Sequence, residues 1–79
     1  MINKNNLTQK FLDAKTSLEI KNLIMSLFRE NKFEKTRKGI EDFKKYLESN
    51  VPNIEQFVVK NTNGTGNGII EILEDHYHL

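Results

Sequence analysis

The hydrophobic pattern of this 79-residue chain changes at Pro52. Before Pro52, apolar residues recur every three or four positions, which is the spacing of amphipathic helices. After it come two short runs, 54–60 and 69–75, that are rich in β-branched residues and favour strands. The segment 61–68 between them holds three of the four glycines and is predicted to be a mobile hairpin loop. The pattern therefore predicts an α+β fold, in which two to three N-terminal helices pack on a C-terminal antiparallel β-hairpin.

The clearest helix is predicted to follow a capping box formed by Thr16 and Glu19. The Thr16 hydroxyl can accept the Glu19 amide proton while the Glu19 carboxylate reaches back to the first residue of the box. Apolar residues then follow at the spacing of one helical face. These residues are Ile20, Leu23, Ile24, Leu27 and Phe28.

Two further helices are predicted on either side of this one. A short helix over about residues 7–14 follows a flexible arm at residues 1–6. The third helix takes Thr36 as its N-cap and ends near Ser49, because the residue before Pro52 avoids helical geometry.

The predicted core combines the helical stripes with one face of each strand. Because side chains alternate along a strand, Phe57 and Val59 share one face, and Ile70 and Ile72 share another. The opposite strand faces are also aliphatic, and an uncovered face of this kind favours dimerisation or a partner. The predicted core residues are Phe11, Ile20, Leu23, Ile24, Leu27, Phe28, Ile40, Phe43, Leu47, Phe57, Val59, Ile70 and Ile72.

Length and composition predict a single small domain over residues 1–79. A chain of this size buries only about 60% of the surface that it exposes when unfolded, so a homodimer or a partner is an expected supplement to its stability. The chain has no cysteine, which fits a reducing, cytoplasmic setting. No stretch is long and apolar enough for a membrane span, so no membrane partner is expected.

Charge is nearly balanced overall but is distributed unevenly along the chain. Residues 1–50 hold eleven of the twelve lysines and arginines against seven acids, whereas residues 51–79 hold one lysine against four acids. The predicted helical part is therefore basic and the predicted hairpin acidic, which bears on charged partners.

Three sequence features resemble a phosphate-binding loop, a metal site and a catalytic serine, but each has an ordinary explanation in this chain. The glycines of segment 64–68 precede a predicted strand and lack the lysine of a phosphate-binding loop. His76 and His78 have no further histidine or cysteine to complete a metal site. The serines lie in helical or capping contexts rather than at a nucleophile elbow. The sequence therefore predicts a protein that is not an enzyme and that has no cofactor and no metal.

The preferred function is a protein-binding regulator, such as an inhibitor, an immunity or anti-defence factor, or an adaptor. It would act through its acidic hairpin or a helix surface, because an exposed edge strand can extend a partner's sheet. The acids could also imitate nucleic-acid phosphates toward a basic protein. The predicted partner-binding residues are Glu71, Glu74, Asp75, Ile69 and Leu73.

The alternative function is a winged-helix protein that binds duplex DNA. Three helices followed by a hairpin match the order of elements in that architecture, with residues 36–49 as recognition helix and 61–68 as wing. The wing carries no lysine or arginine and the hairpin is acidic, and both features disfavour DNA. The residues predicted to contact nucleic acid in this alternative are Arg37, Lys38, Lys44 and Lys45.

Overall fold

The computed structural model describes residues 4–62 and 68–79, which form five helices joined by short links. The helices are α1 (Lys4–Asp13), α2 (Ser17–Glu30), α3 (Arg37–Asn50), α4 (Ile54–Asn61) and α5 (Ile69–Tyr77). Neither of these two stretches of the chain contains a strand. The prediction of an α+β fold with a C-terminal β-hairpin is therefore wrong, because both predicted strands are helices.

The reason for this difference lies in the apolar spacing of the last two helices. Ile54 and Val58 are four residues apart, and Ile69, Ile72 and Leu73 stand at i, i+3 and i+4, so each set forms one helical stripe. All five side chains are buried. The β-branched residues among them favour strands only weakly. The helical stripes pack on the other helices, and such tertiary packing overrides the intrinsic strand propensity of single residues.

Both predicted hydroxyl caps are confirmed. The Thr16 hydroxyl accepts the Glu19 amide proton at 3.1 Å, and Glu19 accepts from the Thr16 amide at 3.0 Å, which completes the capping box. At the start of α3, the Thr36 hydroxyl accepts from the Gly39 amide at 3.0 Å. Each cap satisfies amide groups that the first turn of a helix leaves without a partner.

The structure describes parts of the predicted arm and loop, and some of these residues belong to helices. Residues 4–6 belong to α1, so only residues 1–3 of the predicted arm lie outside the described residues. In the predicted loop, Asn61 ends α4, Thr62 is buried and Gly68 precedes α5. Residues 63–67, the rest of that loop, also lie outside the described part of the chain.

The buried side chains of the described residues form a single cluster to which every helix contributes. The helical stripes of residues 11–47 were predicted correctly except for Leu23, which is half-buried. Of the residues that a period of two selected at the C-terminal end, Ile72 is buried as predicted, whereas Phe57, Val59 and Ile70 are only half-buried. The buried residues that this reasoning missed are Val51, Ile54, Val58, Ile69 and Leu73.

An aromatic cluster joins α2, α3 and α5 at the centre of the molecule. The Phe28 ring lies edge-on to Phe43 at 5.3 Å between ring centroids and 5.6 Å from Tyr77. Phe33, from the link between α2 and α3, packs 5.7 Å from Tyr46. Rings at these separations pack favourably beyond their buried area. The cluster therefore fixes α3 against α2 and brings Tyr46 to the edge of the core.

Candidate functional site

An open groove of about 620 Å³ lies between α1, the end of α2 and α3. Its apolar lining comes from Leu7 of α1 and Leu27 of α2. The remaining lining is polar or charged apart from the ring of Tyr46. A groove of this volume lies within the range of ligand-binding clefts.

Helix periodicity places the polar side chains on the groove. Asn6, Gln9, Lys10 and Asp13 of α1 stand at i, i+3, i+4 and i+7, so they share one face of that helix. On the other helices, Glu30 and Asn31 lie at the end of α2, while Tyr46 and Asn50 lie four residues apart on α3. Three helices thus contribute to one continuous surface.

Three side-chain amides in the groove are held by hydrogen bonds within the chain. The Asn31 amide donates to the Leu27 carbonyl oxygen at 2.8 Å, and the Asn50 amide donates to the Tyr46 carbonyl oxygen at 2.7 Å. The Gln9 amide donates to Asp13 Oδ1 at 2.9 Å. In each case one of the two amide N–H groups is engaged, and the side-chain oxygen accepts no hydrogen bond within the described residues. Each of these amides therefore offers the groove a carbonyl acceptor and a second N–H donor.

The charges of the groove are predominantly negative. Asp13 and Glu30 contribute two carboxylates, against the single ammonium group of Lys10. The Glu30 carboxylate makes no ion pair or hydrogen bond with any other described side chain. Tyr46 supplies an aromatic ring held by Phe33 and by Phe43, whose ring centroid is 6.2 Å away. The groove can accordingly bind a ligand that combines hydrogen-bond donors, positive charge and apolar surface.

The five residues predicted to bind a partner do not form one surface. Ile69 and Leu73 are fully buried in the core. Glu71 accepts the Gly68 amide proton at 2.8 Å at the start of α5, and Glu74 lies 4.0 Å from Arg37. Asp75 is exposed. In α5 these residues therefore have separate roles: Ile69 and Leu73 belong to the core, Glu71 forms a cap and Glu74 forms an ion pair. A hairpin would have grouped these residues.

The residues predicted to contact nucleic acid all lie on α3. Arg37 is paired with Glu74, and the Lys44 ammonium lies 3.9 Å from the Glu48 carboxylate. Lys38 and Lys45 are exposed. Acidic side chains alternate with these basic residues along α3, namely Glu41, Asp42 and Glu48. Because the segments predicted as hairpin strands are α4 and α5, the described structure lacks the strands that would carry a wing.

The two histidines have separate structural surroundings. The His76 ring packs against Tyr77 at 4.6 Å, and His78 ends α5 in a left-handed conformation with φ of 61°. Within the described residues, no three potential metal-ligating side chains come together. None of the described helices is both long enough and apolar enough to cross a membrane.

Sequence reasoning missed the groove residues because it treated each helix alone. Neither Asn31 and Asn50 nor Tyr46 was among the predicted site residues. One available signal was an asparagine at the C-terminal end of each long helix, where its side chain can reach the carbonyl group one turn back. Comparisons with protein-family models, curated proteins and solved structures found no match to this chain.

Proposed function

We propose that this protein is a small non-enzymatic regulator that binds a segment of a partner protein in the groove between α1, α2 and α3. The observation that carries the proposal is the set of groove-lining amides from Gln9, Asn31 and Asn50, each of which donates one hydrogen bond within the chain and leaves its oxygen available. A peptide segment supplies both N–H and C=O groups, so it complements amide side chains that offer an acceptor and a second donor. The protein would act as an inhibitor, an immunity or anti-defence factor, or an adaptor.

Preorganisation of the groove supports this function. An amide that is already hydrogen-bonded has little rotamer freedom left to lose, so a ligand that accepts this geometry binds at a lower entropic cost. Tyr46 is half-buried and packed between other rings, and tyrosine is frequent among the residues that dominate binding energy at protein interfaces. These features suit recognition of a protein segment.

The proposal moves the binding surface from the acidic C-terminal segment to the groove. Ile69 and Leu73 contribute to the core, and Glu71 stabilises the start of α5, so changes at these residues act on the fold. The absence of cysteine from the sequence supports a reducing compartment such as the cytoplasm.

A peptide-display selection on the purified protein tests the proposal. Selected peptides are then measured by calorimetry against a groove variant, Gln9→Ala with Glu30→Ala, and against a control variant, Asn22→Ala with Glu41→Ala. Both variants remove one amide and one carboxylate, and all four positions are exposed. We expect the groove variant to weaken binding by about tenfold or more, since each lost hydrogen bond at a binding site contributes on the order of 1 kcal/mol.

The control variant is expected to keep the wild-type affinity. Enrichment of no peptide, or equal binding of selected peptides to the wild type and the groove variant, would contradict the proposal. Circular dichroism of both variants checks that each retains its helices.

A further inference from the structure

We infer that the partner segment carries an arginine and that the groove recognises its guanidinium group. This inference rests on the proposed function and specifies its ligand. Asp13 and Glu30 would bind the guanidinium, while Leu7 and Leu27 would pack on its methylene stem. The ring of Tyr46 would offer a stacking surface.

Acceptor atoms are prominent in the groove. Its lining includes two carboxylates and three amide oxygens, together with one ammonium group, that of Lys10. A ligand rich in donors can therefore bond to both carboxylates and to the amide oxygens. A guanidinium supplies five N–H donors in one plane and no acceptor.

The charged side chains of the groove also favour a cation. The whole chain is nearly neutral, with twelve lysines and arginines against eleven acids. The groove has a local excess of negative charge, with Asp13 and Glu30 against Lys10. A cationic ligand is attracted to this excess, whereas an acidic segment would meet two carboxylates there.

The groove suits arginine better than lysine. A guanidinium is planar and weakly hydrated, binds carboxylates through paired hydrogen bonds and stacks on aromatic rings. An ammonium group is a strongly hydrated point charge with three donors. The groove combines carboxylates, fixed carbonyl oxygens, an aromatic ring and the aliphatic side chains of Leu7 and Leu27, against which a long stem can pack.

The two carboxylates of the groove contribute little to the fold. Glu30 is exposed and makes no hydrogen bond or ion pair with another described side chain. Asp13 is also exposed, and its described side-chain contact is the hydrogen bond from Gln9. Conservative changes at Asp13 and Glu30 therefore test ligand binding in a folded protein.

The experiment titrates isotope-labelled full-length protein with three synthetic peptides and follows the backbone amide resonances. The peptides are acetylated and amidated glycine–serine nonamers whose central residue is arginine, lysine or citrulline, the neutral isostere of arginine. We expect the arginine peptide to shift resonances of groove residues and to bind about tenfold more tightly than the citrulline peptide, since bonds to a charged group are worth about twice those to a neutral one. The lysine peptide should bind with intermediate affinity.

A matched pair of variants completes the test. Asp13→Asn with Glu30→Gln should weaken binding of the arginine peptide by about tenfold. Glu41→Gln with Asp42→Asn removes the same charge from an exposed surface outside the groove and should change the affinity by less than about twofold, because exposed distant charges are screened by salt.

Each outcome separates this inference from the proposed function. If display-selected peptides bind the groove without arginine, and the arginine and citrulline peptides bind alike, the inference fails and the proposed function stands. If neither selected nor synthetic peptides bind, both fail. If the protein forms a dimer that the Glu30→Gln variant abolishes, the ligand is a second copy of this chain, which overturns the assignment to a different protein.

Discussion

Helices α2 and α3 each span 14 residues, whereas α4 and α5 span 8 and 9 residues. Each long helix begins at a threonine whose hydroxyl accepts an amide proton of the first turn. By contrast, α4 begins at Asn53, which makes no side-chain cap bond, and α5 begins at Gly68, which has no side chain. Helices of 8 or 9 residues are marginal in isolation. The long helices are thus capped by the residue that precedes them, whereas α4 lacks such a cap and α5 is capped by Glu71 of its own first turn together with Glu55 of α4.

The distant contacts of the short helices can be named. The Ile69 amide donates to Glu55 Oε1 at 3.2 Å, so a residue of α4 caps the start of α5 from fourteen positions away. The Phe57 ring of α4 lies edge-on to Phe11 of α1, at 6.5 Å between centroids. Tyr77 fixes the other end of α5 against Phe28. The short helices thus depend on each other and on the long ones.

Among variants that test the difference between the long and the short helices, Leu73→Ala should change the free energy of unfolding most. Leu73 is fully buried, so its truncation should lower the free energy of unfolding by about 2–5 kcal/mol and reduce the helical content of α5. The control is Leu18→Ala, because Leu18 of α2 is 64% exposed and its truncation should cost less than about 0.5 kcal/mol. Urea denaturation followed by circular dichroism measures both. Equal midpoints for the two variants would mean that α5 is not packed as described.

Two glycine substitutions give the next effect. A Cβ at Gly39 would meet the backbone carbonyl of Glu34, which cannot rotate away, so Gly39→Ala should destabilise by about 1–3 kcal/mol despite the helix propensity of Ala. A Cβ at Gly68 would meet only the Glu55 carboxylate, a side chain that can move. Gly68→Ala should therefore cost about 0.5–1.5 kcal/mol, the value of the lost hydrogen bond to Ile69. The reverse order in thermal unfolding would refute this explanation.

Removal of a cap distinguishes the two kinds of helix. Thr16→Ala should cost about 1 kcal/mol, because it leaves the Glu19 amide without its acceptor. At the start of α4, Asn53→Gly should have almost no effect, because Asn53 has a φ of 64° and its side chain makes no cap bond. Denaturant midpoints of the two variants give the comparison directly. A loss at Asn53 equal to that at Thr16 would show that α4 is also locally capped.

The smallest effect concerns the ion pair between α3 and α5. Arg37 and Glu74 are 4.0 Å apart and their side chains are 74% and 30% exposed, so Arg37→Gln should cost at most about 0.5 kcal/mol. That difference should disappear near 1 M salt, where screening is strong. Lys38→Gln, at an exposed neighbour, is the control for the change in net charge. A salt-independent loss at Arg37 would assign it a packing role instead.

The difference between the long and the short helices also explains how much of the fold could be predicted from the sequence. The spacing from Ile20 to Phe28 spans more than two turns and is preceded by a capping box, so it is unambiguous. The runs after Pro52 are too short to separate a period of two from one of 3.6, and their β-branched residues favoured the wrong choice. The contact of Glu55 with Ile69 depends on the relative placement of two helices, which no local pattern contains.

The candidate site was less predictable than the fold. Its residues come from three helices, and none of them is unusual in its own sequence context. Gln9 and Asn31 matter because the fold brings their amide groups to one groove. The acids of α5, by contrast, were conspicuous as a local cluster, yet Glu71 serves as a cap and Glu74 as an ion-pair partner. The sequence prediction therefore chose residues because they form a dense local cluster of charge. The groove residues come together only through the packing of three helices.

The aromatic cluster has a practical consequence for spectroscopy. The chain has two tyrosines and no tryptophan, so Tyr46 and Tyr77 dominate its ultraviolet emission. Tyr46 lines the groove, and Tyr77 lies where α5 packs on α2. A Tyr77→Phe variant would emit chiefly from the groove, and a Tyr46→Phe variant chiefly from the α5 contact. The unlabelled protein thus carries one intrinsic fluorophore at the groove and another at the contact of its last helix with α2.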